Sequence, residues 1–170
     1  LELVDRRVDL IAEGFDLDIR VGEVTEPHLV ARKIVDSARV LCASPRYLDQ
    51  RGRPKTLAEL AQHDCLMFRD REQAFGMLRM TGPNGSESVK VTGPMGSNQS
   101  DPVREWAFAG LGIVLLSRWD IAAQLEDGTV ERVLPQYRQP ADVYAVMPTR
   151  AGHSAKLQAC VDYLARHLTS

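Results

Sequence analysis

A polar run, SNQSD at positions 97–101, is the part of this sequence best suited to bind a ligand. Asp101 is predicted to cap a helix that starts at Pro102, whose missing N–H costs nothing at the first helical position. The start of a helix presents free backbone N–H groups and a partial positive charge, which together suit a small anion. The alternative is that the run only caps one more helix. The candidate ligand-binding residues here are Ser97, Asn98, Gln99, Ser100 and Asp101.

A helix, a glycine turn and a buried strand are predicted to hold this run in place. Small and apolar residues recur at helical spacing after the proline, at Val103, Trp106, Ala107 and Gly110. Gly110 and Gly112 then allow the chain to leave the helix and turn. The apolar run IVLL at 113–116 is typical of a strand buried on both faces.

Other residue types that could do chemistry stand apart from one another. His63 follows a capping box, TLAE at 56–59, and has no partner at catalytic spacing, so a structural role is favoured over a base or a metal ligand. Cys42, Cys65 and Cys160 lie in apolar surroundings without a CxxC pair, which favours buried thiols in a reducing compartment; a redox switch between two of them is the alternative. We predict no catalytic residue, no metal site and no cofactor.

Composition is that of a globular protein. The 170 residues are 44% hydrophobic and 26% charged, enough for one ordinary domain or two small lobes. A formal net charge of -2 gives no basic surface for nucleic acid. The sequence shows neither a signal peptide nor an apolar stretch near the roughly 20 residues that cross a bilayer. It starts with Leu1 in what reads as a strand, so a fragment of a longer protein is expected.

Helices and strands alternate along the chain. A helix is predicted from Asp5 to Gly14, followed by a strand over DLDIRV at 16–21, where Asp16 and Asp18 are expected to face solvent and Arg20 less so. Further strands are predicted at 28–34, 39–44, 65–68, 129–134 and 143–147, a hairpin over 77–81 and 87–92 around GPNG, and helices after Ser44, Thr56, Trp119 and Ser154. This order favours an α/β fold with a mostly parallel sheet and a chain that crosses to a second lobe and returns.

A family resemblance is carried by six segments in order. They are DRRVDLIAEGFDLDIRVG at 5–22, ARVLCASPRYL at 38–48, LAELAQHDCLMF at 57–68, AGLGIVLLSRW at 109–119, VYAVMPTR at 143–150 and the closing helix at 154–168. Together they span nearly the whole chain. The sequence resembles the C-terminal effector-binding domain of LysR-type transcriptional regulators.

This resemblance implies a two-lobed α/β fold of the type II periplasmic-binding-protein kind, each lobe a sheet flanked by helices, with the N-terminal strand of lobe one missing. Lobe one would comprise 1–66 plus 147–170, and lobe two 67–146. A small-molecule effector, such as a carboxylate, would bind in the cleft between the lobes. DNA would be bound only by an absent N-terminal winged helix-turn-helix domain. The protein would be cytoplasmic, without membrane contact, and the alternative from the fold is a solute-binding protein of a transport system.

The resemblance also implies which residues bind the effector. Besides the polar run at 97–101 it points to Gly22, Glu23 and Val24 after a lobe-one strand, and to Ser117, where the family usually carries proline. Arg39 and Arg69 flank the predicted crossing and could each bind a carboxylate through two hydrogen bonds; a surface salt bridge is the alternative. The family implies a homodimer that packs helices 6–13 and 102–110 against each other, and a homotetramer of the intact regulator.

Overall fold

The structure, a computed structural model, describes residues 1–4, 6, 8–22, 24–68, 76–149 and 154–168. The strands are β1 (Asp18–Val21), β2 (Leu29–Val35), β3 (Ala38–Ala43), β4 (Cys65–Phe68), β5 (Met77–Gly82), β6 (Gly85–Lys90), β7 (Gly96–Ser97), β8 (Ile113–Ser117), β9 (Glu131–Arg132), β10 (Gln139–Pro140) and β11 (Val143–Pro148). The α-helices are α1 (Pro45–Arg51), α2 (Ser100–Phe108), α3 (Ala122–Glu126) and α4 (Ala155–His167), and Leu57–Gln62 forms a 3₁₀ helix. No helix in these ranges is long and apolar enough to cross a bilayer.

The chain forms two compact units. Unit 1 comprises Leu1–Ser37 and Pro140–Ser170, and unit 2 comprises Ala38–Gln139. The predicted lobes have other boundaries: lobe one at 1–66 plus 147–170, and lobe two at 67–146. The division into these two lobes remains a prediction. In unit 2 the segment 38–66 forms one sheet with later strands, because β3 pairs with β8 and β9, and β4 pairs with β7 and β8.

Unit 1 is built on a three-stranded antiparallel sheet in the order β1-β11-β2. Helix α4 covers part of one face of this sheet. The buried cluster beneath the helix consists of Val161 with Ile34, Val143, Ala145 and Met147. Leu164 and Leu168 pack against this cluster, as their helical spacing predicts. Cys160, which the sequence predicts to be a buried thiol, is instead exposed.

Strand β1 has the predicted alternation but the opposite burial. Ile19 and Val21 are 41% and 51% exposed, whereas Arg20 is only 8% exposed. Asp16 faces solvent as predicted, but Asp18 is half-buried. In the described part of the chain β1 is an edge strand, since it has a hydrogen-bonded neighbour on one side only.

A network of ion pairs explains why Arg20 is buried. Its guanidinium donates to a carboxylate oxygen of Asp18 at 3.1 Å and of Glu26 at 2.7 Å, and to the carbonyl of Val8 at 3.3 Å. Burial of a cation is tolerated when opposite charges and hydrogen bonds replace its water. The solvent-facing role predicted for Asp18 is therefore wrong, because its carboxylate is committed to Arg20.

The helix predicted over 6–13 is only a turn in the residues described there. The Asp9 carboxylate accepts from the backbone N–H groups of Ile11 and Ala12, at 3.1 and 3.0 Å. These bonds make Asp9 an N-cap, so the turn begins after Asp9 and not after Asp5. The N–H of Phe15 then donates to the carbonyl of Leu10 at 3.0 Å and closes the turn. Asp5, the predicted cap, lies outside the described residues.

Unit 2 is organised around a mixed sheet in the order β10-β3-β8-β4-β7, with β9 also paired to β3. Strands β4, β7 and β8 are mutually parallel, whereas β3 runs antiparallel to β8 and to β9. The prediction of a mostly parallel sheet is therefore correct only for this half of the sheet. The strand predicted over 129–134 shortens to β9, because Leu134 adopts a positive φ of 49° and turns the chain away.

The two faces of this sheet carry separate cores. Helix α2 covers one face, where Val103 and Ala107, one turn apart, are fully buried. Cys42 packs in this cluster, whereas Cys65 packs in the cluster on the other face. Burial raises the pKa of both thiols to about 12. A redox switch between these two cysteines is therefore not favoured, because both stay protonated and they lie on opposite faces.

The hairpin predicted around GPNG is formed by β5 and β6, and its turn has only two residues. The register pairs Gly82 with Gly85, so Pro83 and Asn84 form the loop between the strands. Thr81 and Arg138 exchange two backbone hydrogen bonds of 2.7 and 3.0 Å, which attach the hairpin to the chain before β10. The sequence predicts the hairpin but gives no indication of this attachment.

Two glycines allow the strands of unit 2 to approach the start of β4. A Cβ on Gly93 would lie 1.8 Å from the carbonyl oxygen of Cys65, and a Cβ on Gly112 would lie 2.4 Å from that of Asp64. Backbone contacts this close exclude any side chain. Gly112 was predicted only as a turn residue, but its main role is to bring β8 against β4.

His63 has the structural role that the sequence favours. The Tyr47 hydroxyl accepts from the Asp64 backbone N–H at 2.9 Å and lies 3.2 Å from Nδ1 of His63. An unprotonated Nδ1 of the neutral His63 ring can accept a hydrogen bond from this hydroxyl, whereas a protonated ring can only donate there. Burial, followed by the nearby Arg51 cation, lowers the pKa of His63 below its ordinary 6.5.

We expect the stability of unit 2 to fall as the pH drops below about 6.5, the ordinary histidine value. His63 binds a proton more readily in the unfolded chain, so acid favours unfolding, and protonated Nδ1 no longer accepts from Tyr47. Urea unfolding at pH 7.5 and 5.5 measures the loss. A His63→Gln variant should show a smaller loss, while a variant of the exposed His28, His28→Gln, should behave as the parent. An equal pH dependence in His63→Gln would contradict this assignment.

Candidate functional site at the polar edge of unit 2

The predicted ligand residues of unit 2 meet at one edge of its sheet. In the parallel strands β4 and β7, Phe68 is the register partner of Ser97, so both strands end there. Parallel β8 ends at the same edge with Ser117. Strand β3, being antiparallel, begins there, and Arg39 is the register partner of Ser117. We call this edge, formed by Ser97, Ser117, Arg39, Gln139 and the start of α2, the polar edge.

The start of α2 lies two residues earlier than predicted, with consequences for the polar run. Gln99, not Asp101, is the N-cap, and its side chain makes no capping hydrogen bond. The hydroxyl of Ser97 accepts from the Gln99 backbone N–H at 3.0 Å and fixes the entry to the helix. The first-turn N–H groups have no partner within the helix. Ser100 is half-buried, and the side chains of Asn98 and Gln99 are exposed.

Asp101 is less suited to an anionic ligand than the sequence predicts. Its carboxylate lies 3.2 Å from the guanidinium of Arg104 on the same helix, and its side chain is 77% exposed. An acidic residue in the first turn stabilises the helix dipole, which is a local role. Its negative charge also opposes a second anion at the same place.

Arg39 is the main positive charge that the structure places at the polar edge. Its side chain is half-buried, and one terminal nitrogen, Nη1, donates to Oε1 of Gln139 at 3.2 Å. Within the described ranges, no carboxylate lies within 4.0 Å of it. The salt bridge considered as the alternative role of Arg39 is thus not seen there. A half-buried guanidinium that contacts a neutral amide keeps its charge available for an anion.

The other predicted site residues are placed differently. Gly22 and Val24 follow β1 in unit 1, where the Gly22 N–H donates to the carbonyl of Asp142 at 2.9 Å. Glu23 and Arg69 lie outside the described residues. Their part in ligand binding remains a prediction.

Gln139 was missed by sequence reasoning. It lies 100 residues from Arg39 along the chain, and a single glutamine before a proline carries no recognisable pattern. Only the pairing of β10 with β3 brings its amide to the guanidinium. In the part of the chain that the structure describes, no group of three or more histidine, cysteine or acidic side chains could hold a metal ion.

The family is shown by direct comparison. The LysR substrate binding domain family matches residues 1–169 of this chain, and the chain belongs to that family. The transcriptional regulator DmlR of Escherichia coli (strain K12) is 42% identical over 166 residues, which are 98% of this chain and 54% of DmlR. The transcriptional activator TtdR of Escherichia coli (strain UTI89 / UPEC) is 40% identical over 164 residues, 96% of this chain and 53% of TtdR.

Solved structures confirm the fold class. Full-length AphB, a virulence activator of Vibrio cholerae, superposes with a TM-score of 0.80 at 26% identity, covering 97% of this chain and 56% of AphB. CrgA of Neisseria meningitidis, a LysR-type regulator, superposes with a TM-score of 0.79 at 26% identity, covering 95% of this chain and 55% of CrgA. The chain spans about half the length of the curated relatives it matches. Because these relatives are regulators, they favour a regulatory domain over the transport solute-binding protein considered from the sequence.

Proposed function

We propose that this chain is the sensing domain of a cytoplasmic LysR-type regulator, and that it binds a small carboxylate at the polar edge without catalysing a reaction on it. The observation that carries the proposal is Arg39, a half-buried cation whose only described side-chain partner is the neutral amide of Gln139. The family supplies the context, a substrate-binding domain of transcription regulators. The geometry of the polar edge favours an anionic ligand.

Three kinds of donor lie along the polar edge, and each favours an anion. Arg39 offers its remaining N–H groups, which match the two oxygens of a carboxylate. The half-buried hydroxyl of Ser117, the register partner of Arg39, is a further donor. The start of α2 adds free backbone N–H groups and a partial positive charge. Hydrogen bonds to charged groups contribute about 1.5–3 kcal/mol each, enough for specific binding of a small molecule.

Binding would act on DNA through a separate part of the intact regulator. The relatives are named as helix-turn-helix regulators and are nearly twice as long as this chain. We propose a homodimer of this domain and a homotetramer of the intact regulator, with DNA bound by an N-terminal domain. A ligand shifts such an assembly only by binding one of its conformations more tightly than the other.

Substitution of Arg39 tests the proposed site. We expect Arg39→Gln to weaken binding of a carboxylate ligand about 10- to 100-fold, because a charge-assisted hydrogen bond is lost. Asn98→Ala, next to the helix start, should weaken it by a smaller factor. A thermal-shift screen of small carboxylates identifies the ligand, since a binder at 100 times its Kd adds about 2.7 kcal/mol of stability. Calorimetry then gives the affinities.

The control is Arg53→Gln, which removes an exposed arginine paired with Asp49 and Glu131. This variant should bind the ligand as the parent does. Equal affinity of Arg39→Gln and the parent, with both folded by circular dichroism, would refute the proposed site.

A further inference from the structure

Gln139 uses both ends of its side-chain amide. Its Oε1 accepts from Nη1 of Arg39 at 3.2 Å, and its Nε2 donates to the backbone carbonyl of Arg79 at 3.0 Å. The two ends are not interchangeable. A rotated amide would set its NH₂ group against the guanidinium and its oxygen against the carbonyl, losing both bonds. One amide orientation therefore satisfies both partners.

The Arg79 backbone, whose carbonyl accepts from the Gln139 amide, is itself held in place. Arg79 lies on β5, and two residues on, Thr81 exchanges backbone hydrogen bonds of 2.7 and 3.0 Å with Arg138. The residue before Gln139 is thus tied to the same strand that holds the Gln139 side chain. Arg79, Gln139 and Arg39 form a continuous path of hydrogen bonds from the hairpin to the polar edge.

We propose that Gln139 is a positioning residue that holds the guanidinium of Arg39 ready for the carboxylate of the ligand; this inference rests on the proposed function. Gln139 occupies one N–H of Arg39 and leaves the other N–H groups for the two carboxylate oxygens. An amide suits this role better than an acid. A glutamate at this position would also accept from Arg39, but its charge would neutralise the guanidinium and compete with the ligand.

Three variants separate positioning from charge. Gln139→Leu removes both hydrogen bonds at similar volume, so Arg39 should become mobile and carboxylate binding should weaken about tenfold, the worth of one hydrogen bond to a charged group. Gln139→Glu keeps an acceptor for Arg39, so the guanidinium should stay ordered while binding weakens to a similar extent. Gln136→Leu, at an exposed glutamine three residues earlier, is the control and should change neither property.

Two readouts by NMR make the test independent of the unknown natural ligand. The mobility of the Arg39 Nε–H group is measured in the free domain, and the same signal is followed during titration with benzoate or acetate at constant ionic strength, with chloride as the reference. We expect benzoate or acetate to shift the Arg39 signal in the parent and Gln136→Leu. The shift should need about tenfold more ligand in both Gln139 variants.

The outcomes distinguish the two proposals. If a carboxylate binds with equal affinity to the parent and to both Gln139 variants, and Arg39 is equally ordered in all of them, the positioning role is overturned and the proposed function stands. If no carboxylate moves the Arg39 signal in the parent, the proposed site fails, and the ligand role of Gln139 fails with it.

Discussion

Gly93→Ala is expected to prevent unit 2 from folding at room temperature. The added Cβ would lie 1.8 Å from the carbonyl oxygen and 2.9 Å from the amide nitrogen of Cys65, both of them backbone atoms at the start of β4. A flexible side chain can move away from a new methyl group. The backbone of a strand in the middle of a sheet can move away only if its hydrogen bonds break. Two such bonds would be disturbed, from Cys65 to Thr92 and from Met67 to Met95.

The size of the effect follows from the free energy of unfolding of ordinary domains, which is about 5–15 kcal/mol. Overpacking usually costs about 1–3 kcal/mol, and a backbone clash this close costs more. We therefore expect a loss of stability large enough to leave little folded protein. Urea unfolding measures this loss of stability. If the variant shows no unfolding transition, the yield of soluble protein measures it instead. The matched control is Gly128→Ala, where a Cβ meets nothing within 4 Å and only a positive φ of 79° is strained. Comparable losses at both glycines would show that the close approach is not what matters.

Arg20→Ala is expected to destabilise unit 1 by about 3 kcal/mol, within the range for removing one partner of a buried ion pair. The side chain of Arg20 is 8% exposed, and its loss removes the buried cation that both Asp18 and Glu26 contact. These carboxylates are 20% and 28% exposed, so water compensates for part of the loss. Denaturant unfolding that reports on unit 1 measures the change.

The control is Arg32, on strand β2 of the same unit. Arg32 pairs with Asp162 at 2.6 Å, but both side chains are about half exposed. Arg32→Ala should therefore cost less than about 1 kcal/mol, as surface ion pairs do. If Arg20→Ala costs no more than Arg32→Ala, burial does not strengthen the Arg20 network.

The Arg20 network also predicts the response to acid. Burial raises the pKa of Glu26, but hydrogen bonds from backbone N–H groups and from Arg20 outweigh it and hold this pKa below the ordinary 4.5. A carboxylate with a depressed pKa stabilises the fold above its unfolded value, and this contribution is lost as the pH falls. The parent should therefore lose stability below about pH 4.5 more steeply than Arg20→Ala.

Local patterns in the sequence were sufficient to predict most elements of the fold. The run IVLL at 113–116 lies in strand β8. Ser44, before Pro45, caps α1 because its hydroxyl accepts from the Tyr47 N–H. Both patterns succeed because burial and capping act over a few residues. The helix predicted over 6–13 is only a turn in the residues described there, because Asp9 caps it and Gly14, with a positive φ of 73°, ends it. Spacing alone does not show where the cap lies.

The candidate site was predictable only in part. The run at 97–101 and the pair Arg39 and Ser117 come from recognisable segments, and the sheet register brings them to one edge. Two features depend on contacts that local patterns do not show. Arg20 is buried on the inner side of β1, and Gln139 contacts Arg39 because β10 pairs with β3. Periodicity predicts which residues share a face, but it does not say which face is covered. The partner of a side chain 100 residues away is beyond any local pattern.

The arrangement of strand β1 affects how this protein behaves at high concentration. Among the described residues β1 is an edge strand with exposed Ile19 and Val21, and such a strand is a template for β-pairing with another chain, which is how many proteins aggregate. Arg20 counters this tendency, because a charged residue that points inward from an edge strand is one of the devices by which native sheets resist such pairing. The side chain of Arg20 thus both stabilises unit 1 and protects it from self-association. Loss of Arg20 would weaken the fold and also make strand pairing between chains more favourable.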